Sequence, residues 1–121
     1  MNKLLLVEDD AWLAELQVSA LEKAGFKVKL AAHAPSAIQA VDQFKPDAII
    51  LDLLLTGSTG FALLHELQSY SDTRLIPVVL CTSAGENLTA DSLQPYGVRK
   101  IIDKTVMMPD DLVAAVRSLL T

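Results

Sequence analysis

Short uninterrupted apolar runs alternate with longer segments of helical periodicity along the whole chain, and nothing else in the sequence restricts the fold as much. Leu4–Val7, Ala48–Leu51 and Val78–Cys81 are apolar on consecutive residues rather than on alternate ones. A strand with one face in water alternates, so consecutive apolar residues need cover on both faces, the condition of parallel strands flanked by helices. The intervening patterns predict helices over Leu13–Ala24, Ser36–Phe44, Phe61–Ser69 and Pro109–Leu120, with a weaker one near Leu88–Gln94. Val28–Ala31 and Val98–Ile102 complete a set of five βα units. Gly25 stands where the first helix must stop, Pro35 and Pro109 suit first-turn positions, and Asp110 and Asp111 place negative charge at a helix N-terminus.

Right-handed crossovers turn such units into an open, doubly wound α/β sheet of the flavodoxin-like (βα)5 kind, with five parallel strands in the order 2-1-3-4-5. Lys27 and Lys29 mark the second strand as an edge. The 121 residues fit one domain spanning 1–121.

The formal charge of −5, with ten Lys and Arg spread from Lys3 to Arg117, leaves no strongly basic face for direct nucleic-acid binding. Cys81 is the only cysteine and cannot form an internal disulfide. The N-terminus MNKLLLVEDD becomes acidic too early for a signal peptide, and no apolar run approaches the roughly twenty residues of a membrane span. A cytoplasmic protein without membrane contact is expected.

In a doubly wound sheet the functional crevice lies at the carboxyl ends of the strands, near the switch between strands 1 and 3. Strand 1 ends in Glu8, Asp9 and Asp10, strand 3 in Asp52, strand 4 in Thr82 and Ser83, and strand 5 in Asp103 and Lys104. Asp52 stands out only by its place: it interrupts the apolar run AIILDLLL, where an ionised carboxylate costs several kcal/mol unless compensated. Clustered carboxylates require either protonation or a bound cation, and an oxygen-only ligand set favours a hard divalent ion, Mg²⁺ above all. Asp10 also stands where the first helix needs an N-cap. Lys104 reads either as a solvated loop lysine or as a counter-ion for a phosphoryl group.

VEDD at 7–10, IILDLLLTGSTG at 49–60, LCTSA at 80–84 and DK at 103–104 together resemble the receiver domain of two-component response regulators over essentially the whole chain. The resemblance implies a phosphorylation-gated signalling module that is not an enzyme in its own right but assists its own phosphorylation and dephosphorylation. It makes Asp52 the nucleophile toward a phosphohistidine of a sensor histidine kinase or histidine phosphotransfer protein. It assigns the Mg²⁺ site to Glu8, Asp9, Asp52 and the carbonyl of Leu54, and gives Lys104 and Thr82 to the transferred phosphoryl group. A downstream protein or effector domain would read the altered surface. The competing expectation is a receiver-like interaction module that works without phosphorylation.

The chain departs from the family pattern at Thr56 and at Thr105, where proline is common, and at Ile101, where an aromatic residue is common. Thr105 makes a trans Lys104–Thr105 peptide the expectation. His33 and His65 read as surface or packing residues, Cys81 as a core residue, and Trp12, Phe26, Phe44 and Phe61 as packing residues.

Overall fold

The computed structural model describes residues 2–52, 54–55, 58–82, 93–103 and 108–120. Its main sheet holds β1 (Lys3–Val7), β2 (Lys27–Ala31), β3 (Ala48–Asp52), β4 (Val78–Thr82) and β5 (Val98–Asp103), in the order β2-β1-β3-β4-β5. All pairings within it are parallel. The helices are α1 (Ala11–Lys23), α2 (Ala34–Phe44), α3 (Gly60–Gln68) and α4 (Pro109–Leu120). This is the doubly wound order expected from the sequence. A 3₁₀ turn covers Gln94–Tyr96, while most of the helix expected near Leu88–Gln94 lies outside the described residues.

Strand parity divides the interior in two. Leu5, Val7, Ile49, Leu51, Val78 and Leu80 join Ala37, Val41, Leu63, Leu64 and Leu67 of α2 and α3 on one face. Leu4, Leu6, Ile50, Val79 and Cys81 join Leu21 of α1 and Leu112 and Val116 of α4 on the other. Every residue of β1 from Leu4 onward, of β3 and of β4 is buried, which is why their sequences are apolar without alternation. At the β2 edge, Lys27, Lys29 and Leu30 are exposed.

The helix ends follow the sequence signals. Asp10 caps α1 by accepting a hydrogen bond from the Leu13 N–H at 3.0 Å. At the other end Gly25 adopts φ +100°, the Gly25 N–H donates to Glu22 O and the Phe26 N–H to Leu21 O, the bonding pattern of a Schellman stop. Phe26 and Leu21 then share one apolar cluster. The Met108 N–H donates to Asp111 Oδ2 at 2.9 Å, so the acidic first turn of α4 caps its own start.

One aromatic expectation fails. Trp12 is 71% exposed, because the buried stripe of α1 runs through Ala14, Gln17 and Leu21 and leaves Trp12 on another face. Phe26 is buried as expected, and half-buried Phe44 lies under the ammonium groups of Lys3 and Lys27, 5.5 and 5.9 Å from its ring centre.

Gln17 is the polar misfit of this stripe: it is 2% exposed and neither its Nε2 nor its Oε1 has a hydrogen-bond partner among the described residues. A buried unsatisfied polar group costs about 1–3 kcal/mol, and an apolar residue of the same shape removes that cost. Gln17→Met is therefore expected to raise stability by at least about 1 kcal/mol. Urea unfolding should show a higher midpoint at unchanged m; a lower midpoint would mean that the amide is satisfied in solution.

Candidate functional site

The carboxyl ends of β1 and β3 are neighbours because Leu4–Val7 pairs with Ala48–Leu51 in register. One residue beyond each paired run stand Glu8 and Asp52. The Glu8 N–H still bonds to Ala31 O at 3.0 Å, so the chain is held in the sheet direction at the point where the acidic residues begin. β3 extends one residue further than its apolar run, and Asp52 pairs in the ladder with Cys81 of β4. Asp52 shares parity with Ala48 and Ile50, and it takes the place of the next apolar residue on that face just where the sheet runs out.

Carboxylate oxygens of Glu8, Asp9 and Asp52 lie within 4.8 Å of one another, with Glu8 and Asp52 buried and Asp9 half-buried. Glu8 Oε2 also accepts the Asp10 N–H at 3.3 Å, a weak bond that fixes the Glu8 side chain beside the start of α1. Asp10 itself points elsewhere: it is exposed and caps the helix. Three carboxylates at such spacing form an oxygen-only donor set that could hold a hard metal ion, and their mutual repulsion favours one.

Thr82, buried at the end of β4, lies in register with Asp103 and one step beyond Cys81, the ladder partner of Asp52. Leu54 belongs to a two-residue ladder, Leu54–Leu55 against Ser58–Thr59, in the connection that leads from Asp52 into α3. Ser83, Ala84, Lys104 and Thr105 lie outside the described residues, and with them the Lys104–Thr105 peptide. Ile101 is half-buried and packs against the cluster on the α2 and α3 side. The two histidines stand apart from the cluster: His33 Nδ1 is 3.2 Å from Ser36 Oγ at the start of α2, and His65 packs edge-on against Tyr96 with ring centres 5.1 Å apart.

Sequence reading passed over the surface beside the carboxylates. Trp12 and Leu16, four residues apart on α1, are 71% and 42% exposed, and Met108 at the start of α4 is 64% exposed. The signal was present in their spacing, which sets them off the Ala14–Gln17–Leu21 stripe.

A doubly wound parallel sheet with an acidic cluster at the β1–β3 switch defines the class: a flavodoxin-like α/β protein whose crevice lies at the carboxyl ends of its strands. Residues 4–117 match the family model of the response regulator receiver domain, and the chain belongs to that family. It is 33% identical over 119 residues to the phosphate regulon transcriptional regulatory protein PhoB of Escherichia coli, an alignment covering 98% of this chain and 52% of that protein. To the DNA-binding response regulator MtrA of Mycobacterium leprae it is 32% identical over 120 residues, covering 97% and 50%. The chain thus spans about half the length of these curated relatives. Among solved structures, a putative response regulator from Chloroflexus aurantiacus superposes with a TM-score of 0.87 at 30% identity over 98% of this chain and 97% of the other. The chemotaxis protein CheY4 of Vibrio cholerae shares the fold, with a TM-score of 0.87 at 22% identity over 98% of both chains. Among the described residues no helix is long and apolar enough to cross a membrane.

A divalent cation at ten times its dissociation constant adds about 1.4 kcal/mol to the stability of a protein that binds it only when folded. The unfolding midpoint should therefore rise with added divalent salt but not with monovalent salt of equal ionic strength. Asp9→Ala should remove most of that rise, and an unchanged rise in this variant would assign the ion to another site.

Proposed function

We propose that Asp52 accepts a phosphoryl group from a phosphohistidine, and that the resulting aspartyl phosphate gates a signalling output. The observation that carries this reading is the burial of Asp52 within 4.8 Å of two further carboxylates at the β1–β3 switch, in a chain of the receiver family. A carboxylate oxygen of Asp52 attacks phosphorus, the P–N bond to the donor imidazole breaks as the new P–O bond forms, and the imidazole nitrogen keeps the electron pair. Glu8, Asp9, Asp52 and the carbonyl of Leu54 would hold Mg²⁺, which supplies neutralisation of the charge on the phosphoryl oxygens. Lys104 and Thr82 would engage the same oxygens, the lysine as a counter-charge and the hydroxyl as a hydrogen-bond donor once the group is attached. In this reading the domain assists its own phosphorylation and dephosphorylation and turns over no separate substrate.

The domain 1–121 would work in the cytoplasm, with a sensor histidine kinase or a histidine phosphotransfer protein as donor and a downstream protein or effector domain as reader. The matched relatives are regulators about twice the length of this chain, named for transcriptional regulation and DNA binding. We assign no nucleic-acid contact to this receiver portion, whose formal charge is −5.

Acetyl phosphate with Mg²⁺ should add one alkali-labile phosphoryl group, visible by intact mass. The same addition to Asp52→Asn would remove the nucleophile assignment.

The donor protein has to press against the rim of the site. Trp12 and Leu16 give that rim an exposed apolar ridge on α1, continued by the groove that Leu16, Ser19, Ala20, Lys23 and Asp110 line between α1 and α4. Exposed tryptophan is a frequent source of binding energy at protein interfaces. Trp12→Ala is expected to slow transfer from the phosphorylated donor protein at least tenfold and leave labelling by acetyl phosphate unchanged. Equal loss with both donors would place Trp12 in the chemistry rather than in docking.

A further inference from the structure

We propose that the hollow at the opposite pole of the sheet, between the amino ends of β4 and β5, is a binding site for a dianionic phosphate group. It encloses about 260 Å³ and is lined by Gln68, Arg74, Pro77, Gln94, Gly97 and Arg99 among others. That is several times the volume of roughly 30 Å³ that one water occupies in the liquid. In a chain of formal charge −5, no carboxylate is among its described lining residues, while two guanidinium groups are. Asp72, close in sequence, lines an adjoining hollow with Lys45, the two hollows sharing Ile76.

Two features of the backbone shape this place. The β4–β5 ladder carries a register shift: Val78 pairs with Val98 and Val79 with Lys100, leaving Arg99 as the extra residue of a bulge. Bulges are uncommon between parallel strands, and they serve to re-aim a side chain out of strand alternation. Here the bulge frees Arg99 from the parity that keeps Val98 and Ile101 against the same cluster. Gly97, at φ +83°, forms the second feature. A Cβ there would come within 3.2 Å of Gln68 Nε2 and 3.3 Å of Ile76 O, so glycine allows the two walls to approach.

The wall that carries Arg74 is fastened before any ligand arrives. The Thr73 hydroxyl donates to Leu67 O, the Arg74 N–H to Tyr70 O and the Ile76 N–H to Thr73 O, while Gln68 Nε2 donates to Arg74 O at 3.3 Å. No ion pair engages Arg74 or Arg99 among the described residues, so two forked cationic donors line the hollow without a carboxylate bound to either. Guanidinium groups recognise phosphate oxygens through paired N–H donors, and two of them match the charge of a phosphate dianion. The remaining space would take the group that the phosphate is attached to. Because the hollow lies at the far end of the strands from Asp52, it can be filled while the carboxylate pole is engaged; this site does not depend on the phosphoacceptor reading.

The test is an amide NMR titration of the full chain with inorganic phosphate, at constant ionic strength and without divalent cations, so that anions are not drawn to the carboxylates. Saturable shifts are expected at Arg74–Ile76 and Gly97–Arg99. Arg74→Gln and Arg99→Gln should each weaken binding at least tenfold while unfolding as the parent does, both side chains being exposed. A parallel titration with glycerol phosphate separates the sources: tighter binding than inorganic phosphate assigns a phosphate monoester, and equal binding assigns the free ion. Linear shifts that chloride reproduces, or affinity retained in both variants, would overturn the site.

Discussion

Mutual repulsion among Glu8, Asp9 and Asp52 is the interaction on which the rest of the arrangement depends. Carboxylates within 4.8 Å of one another, two of them buried, oppose folding unless something offsets them, and their oxygen-only set could hold a cation that does so. Holding them there demands a scaffold that does not yield. The scaffold is the β1–β3 pair, whose residues are almost wholly enclosed and whose register sets Glu8 beside Asp52. Moving the two strand backbones apart would disturb Leu6, Val7, Ile50 and Leu51, and disruption of such packing costs several kcal/mol.

The two-sided core follows from the same sheet. Because parity sends Leu4 and Leu6 toward α1 and α4 but Leu5 and Val7 toward α2 and α3, β1 cannot slip by one residue without exchanging the contents of both layers. Register is therefore fixed twice over at the strand that presents Glu8 and Asp9. Gln17 sits within the better-covered stripe of α1 as an unsatisfied amide, a local cost that the surrounding packing tolerates.

How much of this could be read beforehand depended on whether a residue's environment is local. The strand order was legible because consecutive apolar residues at Leu4–Val7, Ala48–Leu51 and Val78–Cys81 admit few arrangements. The helix boundaries were legible at Gly25, Pro35 and Asp111, where cap chemistry acts within a few residues. The gathering of Glu8, Asp9 and Asp52 followed from the topology rather than from any spacing along the chain. Trp12 was misjudged because size suggests burial, whereas helix phase relative to Ala14 and Leu21 decides it. The bulge at Arg99 was invisible in VRKII, since one extra residue leaves no mark in composition.

Ile101 bears on how a change at Asp52 could reach the surface. A large ring can trade a buried position for an exposed one, but a β-branched aliphatic side chain is stiff at χ1 and has no polar tip to offer water. Half-buried against the cluster that includes Leu80 and Val98, Ile101 ties β5 to the interior. A stiff aliphatic side chain at this position offers no aromatic rotamer exchange at the carboxyl end of β5.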